Sequence, residues 1–170
     1  MSATAPTLVD TGADAGGSAE PGYARIMLAS EGREIPDAAI ARVAELADRS
    51  GPTQASVHVF TIARVHGVAF GFPNPGLMPT KPEWAAQRKI VDSAIKRLRR
   101  KGLAAEGHVL ATRKVTAKIC AEAIREECQA IVMAADPDRR RLLGDMLWTQ
   151  EPQRVKRRAK VPVFLVEAGD

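Results

Sequence analysis

The strongest constraint on this chain is an alternation of two kinds of segment. Five short apolar runs, several rich in β-branched residues, are separated by four stretches with helical periodicity. The runs are "ARIMLAS" (24–30), "ASVHVFTIARV" (55–65), "AEGHVLAT" (105–112), "AIVMAA" (130–135) and "VPVFLVEA" (161–168). Short apolar runs bounded by turn residues predict buried strands. Between them, residues 36–51 repeat Ile40, Val43, Leu46 and Ala47 at helical spacing, with Pro36 at the start and Gly51 at the end. Residues 81–102 set Trp84, Val91, Ala94, Ile95 and Leu98 on one stripe and place the bases elsewhere. Residues 116–128 predict a helix with Ile119, Cys120, Ala123 and Ile124 inward, and "EPQRVKRRAK" (151–160) a short basic helix. Parallel strands need long crossovers, usually helical. The alternation therefore predicts an α/β protein, a three-layer open sheet of five parallel strands with helices on both faces. Such a sheet takes its ligand outside the carboxyl ends of the strands, where the strand order reverses.

A chain of 170 residues, 45% of them hydrophobic, buries one sizeable core, so one domain over 23–170 is expected. Residues 1–22 hold no Lys or Arg and too few apolar residues to offset the cost of ordering, which predicts a disordered tail rather than a signal peptide. No run of about 18 apolar residues exists, so no membrane helix is expected. Cys120 and Cys128, eight positions apart on one helix, would stand roughly 12 Å from each other. That is too far for a disulfide, and reduced, helix-packed cysteines fit a cytoplasmic protein.

Enzyme chemistry finds little support. His58, His66 and His108 fall on a strand, in a loop and on a strand, without metal-ligand spacing, and read as packing residues. No Gly-x-Ser-x-Gly, Gly-x-Gly-x-x-Gly or Gly-x-x-x-x-Gly-Lys motif occurs. The carboxylates of Asp136-Pro137-Asp138 suit backbone capping in a turn better than a metal. The expectation is no catalytic residue, no metal and no enzyme. The loop 66–80 carries Phe70, Phe72, Leu77 and Met78 in a Gly- and Pro-rich segment. Apolar side chains on a loop either fold back over the sheet or offer a partner site. A lid over the carboxyl ends of the first two strands is the favoured expectation.

From about Ala24 to Val166 the chain resembles a universal stress protein domain. The similar stretches are "IMLASEGRE" at the first strand, "AIVMAADPDRR" at the fourth and "QRVKRRAKVPVFLV" at the end, where Val155, Ala159 and "PVFLV" match the closing pattern. The resemblance implies strand order 3-2-1-4-5, with the switch point between the first and fourth strands. It also implies a regulatory or protective role under stress, with an unspecified protein partner.

In that order, right-handed crossovers put the first two helices on one face and the last two on the other. The net charge is +5, and the acids of the tail (Asp10, Asp14, Glu20), unaccompanied by bases, leave the remainder at +8. The bases concentrate in 81–101 and 139–160, whose helices would lie on opposite faces. A single-strand nucleic-acid binder gathers its bases on one surface among aromatics. With 4% aromatic residues and a split charge, a solvated surface is expected instead.

ATP-binding members of the family carry a glycine after the fourth strand, a second three residues later, and a third before a Ser or Thr opening the last helix. Glycine lets backbone N–H groups approach phosphate, and the helix N-terminus adds positive potential. Here Ala134, Pro137 and the pair Thr149-Gln150 stand at those positions, and Pro137 lacks an N–H. Glu31-Gly32-Arg33 replaces the family's Asp-Gly-Ser turn after the first strand. No cofactor is therefore expected, and ATP binding in the family manner is not. The alternative is an adenine-nucleotide sensor (ATP, AMP or cAMP) that holds phosphate through the side chains of Arg139, Arg140 and Arg141. A homodimer is expected through the fifth strand, at the sheet edge in the implied order. Val163, Phe164, Leu165 and Val166 are uncharged and apolar on both faces, and an uncovered edge of that kind invites pairing.

Overall fold

The computed structural model describes residues 21–51, 54–65, 78–135 and 150–167. The elements run β1 (Arg25–Ser30), α1 (Asp37–Asp48), β2 (Ser56–Arg64), α2 (Lys81–Arg100), β3 (Ala104–Thr112), α3 (Val115–Arg125), β4 (Ala130–Ala135), α4 (Glu151–Arg158) and β5 (Val163–Glu167). All pairings are parallel, in the order β3-β2-β1-β4-β5. The expected architecture and order both hold, with β1 at the centre.

Period-two alternation along β1 divides the core. Ile26 and Leu28 face α1 and α2, joining Ile40, Val43, Leu46, Val91 and Leu98. Met27 and Ala29 face the other way, against Ile119 and Ala123 of α3 and Val155 of α4. Burying each of these larger side chains is worth about 1.5–3 kcal/mol, so both faces of β1 contribute to holding the layers. The basic helices α2 and α4 consequently lie on opposite faces, as the crossover argument required.

Local chemistry explains where α2 starts. The Thr80 hydroxyl accepts from the Glu83 N–H, while the Glu83 carboxylate accepts from the Thr80 N–H, satisfying two donors that the helix leaves open. Pro sits in the first turn, where its missing N–H costs nothing.

Two expectations for α3 are corrected. Ile124 is 59% exposed rather than inward, because the buried stripe runs through Val115, Ile119, Glu122 and Ala123. The helix also stops at Arg125, and Glu127 takes a positive φ of 51°, so Cys128 lies beyond the helix on the turn into β4. Both cysteines are free. That turn is stitched to the start of β1 by Gln129, whose side-chain carbonyl accepts from the N–H groups of Ala24 (2.8 Å) and Arg25 (3.1 Å). Among the described residues, no helix is long and apolar enough to cross a membrane. Nearly all of the expected 1–22 tail and of the expected 66–80 lid lies outside the described residues. Met78, at the end of that segment, is 49% exposed.

Candidate functional site

At the carboxyl end of β1 the chain turns sharply through Ser30-Glu31-Gly32-Arg33. Gly32 adopts φ +115°, a conformation that L side chains rarely enter. Two side chains hold the turn. The Ser30 hydroxyl donates to the Arg33 carbonyl (2.5 Å) and accepts from the Gly32 N–H (3.2 Å). Gln87 of α2 donates to the Gly32 carbonyl (2.9 Å), and its own amide oxygen accepts from Thr61 of β2 (2.8 Å). Beside the turn lies a cavity of ≈ 220 Å³, lined by Leu28, Ser30, Glu31, Arg33, Ile35 and Ala134. It sits between β1 and β4, at the switch point of the sheet.

The electrostatics of this crevice are largely internal. Glu31 is only 2% exposed and pairs with the Arg33 guanidinium. Burial raises its carboxyl above the ordinary value, and the attraction of Arg33 offsets only part of that rise. Arg64, at the end of β2, has its guanidinium pushed downward by burial, while the carboxylates of Glu151 and Glu31 pull the other way. Glu151, buried at the first turn of α4, accepts from the Thr116 hydroxyl and pairs with Arg154 at 3.4 Å. Among the described residues, cations and carboxylates thus alternate around the strand ends.

Of the residues singled out from sequence, Glu31 and Ala134 meet in this cavity. Gln150 is exposed before α4 and accepts from Arg154 at 3.1 Å. Pro137, Arg139, Arg140, Arg141, Thr149, the acids Asp136 and Asp138, and His66 lie outside the described residues. Val163, Phe164, Leu165 and Val166 stand on the edge strand, each half-buried. Phe164 and Val166 pack on the α1/α2 side, with Val163 and Leu165 on the other. The Phe164 ring meets Tyr23 edge-on at 5.8 Å and carries the Arg42 guanidinium 5.0 Å above it.

A second cluster, at the opposite end of the sheet, escaped the sequence reading. His58 of β2 and His108 of β3 are not separate packing residues: their Nε2 and Nδ1 atoms stand 3.1 Å apart. In the β2/β3 register His58 faces Glu106 and Phe60 faces His108, so the two imidazoles are diagonal neighbours on one face. Pairing the second and third strands in parallel and tracing alternate positions would have found them. His58 and Glu106 also line a larger cavity, ≈ 470 Å³, together with Arg25, Arg99, Glu126 and Cys128.

Residues 22–167 match the universal stress protein family. No curated protein matches the chain significantly. Solved structures repeat the fold at low identity. A universal stress protein from Archaeoglobus fulgidus superposes with TM-score 0.62 at 18% identity, covering 85% of this chain and 93% of that one. The structure of the universal stress protein from Archaeoglobus fulgidus in complex with dAMP gives 0.59 at 19% identity, covering 84% and 97%. A universal stress protein family protein from Arabidopsis thaliana with AMP bound gives 0.54 at 14% identity, covering 85% and 92%. At such identities the likeness speaks for the fold alone.

Proposed function

The chain belongs to the universal stress protein family, and from that premise we propose a non-enzymatic stress-response protein whose switch-point crevice does not take ATP in the manner of its ATP-binding relatives. It acts instead as a homodimer joined through β5 and through contacts with other proteins in the cytoplasm. One observation carries this reading: the small cavity at the crevice is walled by the protein's own ion pair. The Glu31 carboxylate is buried and engaged by Arg33, beside a cavity of ≈ 220 Å³. Small-molecule pockets commonly span about 300–1,000 Å³. Ala134 and Pro137, where ATP-binding members place glycine, add Cβ atoms and remove a donor. Calorimetric titration with Mg-ATP at millimolar ligand should show no saturable heat. A dissociation constant in the low micromolar range would overturn the reading.

A second reading has one specific observation in its favour. Two proteins of the same fold were solved with dAMP and AMP, and the cavity here lies at the switch point where such a sheet takes its ligand. On this reading the protein is an adenine-nucleotide sensor, and Arg139, Arg140 and Arg141 supply the phosphate contacts. The triple alanine variant should then abolish binding. Native mass spectrometry of freshly purified protein separates the readings, since oligomer and retained nucleotide appear in one spectrum.

A further inference from the structure

We propose that His58, Glu106 and Glu126 form a divalent metal site, suited to zinc, at the amino-terminal end of the sheet. It lies away from the crevice at the strand carboxyl ends and does not depend on what that crevice binds. The three residues come from β2, β3 and the turn after α3, and converge on one side of the sheet.

The geometry is close to that of a ligand set. His58 Nδ1 stands 3.9 Å from Glu106 Oε1 and 3.9 Å from Glu126 Oε2, and all three donor atoms lie within 4.8 Å of one another. Bonds of ~2.0–2.2 Å to zinc in a tetrahedral site set the donors roughly 3.3–3.6 Å apart. Each 3.9 Å separation therefore has to close by a few tenths of an ångström on binding. Rotation of Glu106, whose side chain is 82% exposed, and of Glu126, 27% exposed, brings both carboxylates in toward His58. One imidazole with two carboxylates is a nitrogen–oxygen donor set appropriate to zinc, with an open position for water.

His58 supplies the independent observation. Its side chain is only 11% exposed, and Nδ1 is buried without a hydrogen-bond partner. An orphaned buried nitrogen calls for an explanation. A simple ion pair does not supply one, because 3.9 Å exceeds the reach of a hydrogen bond to either carboxylate. A metal ion between them would satisfy the nitrogen, neutralise Glu106 and use the Glu126 oxygen, Oε2, that faces His58, while Arg125 holds the other, Oε1.

The surroundings orient the imidazole for that task. His58 Nε2 meets His108 Nδ1 at 3.1 Å, and His108 Nε2 stands 3.5 Å from Glu122 Oε2. Glu122 is 2% exposed. Burial pushes its carboxyl up, but hydrogen bonds from Lys118 and Arg125 outweigh that and hold it below the usual range. An ionised Glu122 favours the proton on His108 Nε2. In that tautomer His108 accepts at Nδ1 from the Nε2–H of His58, and the His58 Nδ1 lone pair points at the two glutamates. Arg125 also approaches His108 Nε2 at 3.5 Å, but its guanidinium has nearer acceptors at 2.7 Å in Glu122 and Glu126. The chain carboxylate–histidine–histidine is the kind of outer-shell support that metal-bound imidazoles have. The neighbouring cations are otherwise engaged: Arg25 pairs with Glu127, and Arg99 donates to the Ala105 carbonyl at 2.9 Å.

The test is titration of chelator-treated full-length protein with zinc chloride, followed by calorimetry and by cobalt(II) absorption as a reporter of the ligand field. One ion per chain is expected, with a cobalt spectrum of low-coordinate nitrogen–oxygen character. Glu106→Gln, on the surface and harmless to folding, should weaken binding at least tenfold, and His58→Gln and Glu126→Gln should do the same. His108→Gln, a change in a positioning residue, should weaken zinc about 10–100-fold and still give a cobalt complex. Absence of zinc binding by the wild type overturns the proposal. Equal affinity in wild type and Glu106→Gln overturns it as well, because the ion would then be held elsewhere. If His58→Gln fails to fold, the Glu106→Gln titration decides.

Discussion

Replacing Gly32 by alanine tests the architecture of the switch-point turn directly. At φ +115° an L residue pays about 1–3 kcal/mol of backbone strain. The new Cβ would also stand 3.0 Å from the Ile62 carbonyl oxygen, on the last stretch of β2, and 3.8 Å from Gln87 Nε2. Because Ile62 is fixed in the sheet, the turn itself must give way, and overpacking of this kind adds about 1 kcal/mol or more. The expected loss is roughly 2–4 kcal/mol, a large share of the 5–15 kcal/mol typical of a domain. For a chain of this size it lowers Tm by roughly 4–16 °C. Gly102→Ala is the matched control: it also sits at positive φ, +80°, but nothing lies within 4 Å of the added Cβ. It should cost only the backbone penalty, about 1–2 kcal/mol. Urea unfolding monitored by circular dichroism measures both, with an unchanged slope as the sign that the denatured state is unaffected. If Gly32→Ala loses no more stability than Gly102→Ala, the crowding against β2 is not what shapes the turn.

Thr80→Ala removes the capping box of α2 and should lower stability by about 1 kcal/mol; an unshifted thermal midpoint would show that the helix is held by packing alone. For Glu31, whose folded-state pKa lies above the ordinary 4.5, the linkage sign is set by extra proton binding in the native state. Its contribution is full below about pH 4.5 and is lost as pH rises through the raised value. The unfolding free energy of Glu31→Gln, relative to wild type, should therefore improve between about pH 4 and pH 7, and an identical difference at both would contradict a buried, raised carboxyl. Leu165→Pro, opposite Met133 in the β4/β5 register, removes an N–H and an apolar contact from the edge strand. It should turn the proposed homodimer into monomer or aggregate by light scattering, and a wild-type monomer at micromolar concentration would refute that interface.

The layers of this fold were legible because they follow from local periodicity. The stripe Val91, Ala94 and Leu98 and the apolar runs of β1 and β4 mark helix and strand within a few residues. The order of the strands is not a local property, and it came from the resemblance to a family. Ile124 was misplaced because the inner face of α3 includes Glu122, a carboxylate that sequence alone reads as solvated. Lys118 and Arg125, one turn away on each side, make its burial tolerable. Glu31 was legible as a turn position, but its capture by Arg33, two residues on, needed the Gly32 conformation. His58 and His108 are 50 residues apart, and no spacing rule joins them. Only the β2/β3 register does.

The central position of β1 also shapes the life of the chain before it is complete. Its partner β4 follows far downstream: Gln129, which anchors the start of β1, stands 104 residues along the chain from Arg25. At ~5–20 residues per second, a ribosome needs roughly 5–20 s to deliver that partner. Even after β2 has followed, the nascent chain offers a partner on one side of β1 and none on the other. The apolar Ile26–Ala29 segment is then an open strand edge, fit for capture by a chaperone or by a neighbouring nascent chain, until β4 emerges and closes it.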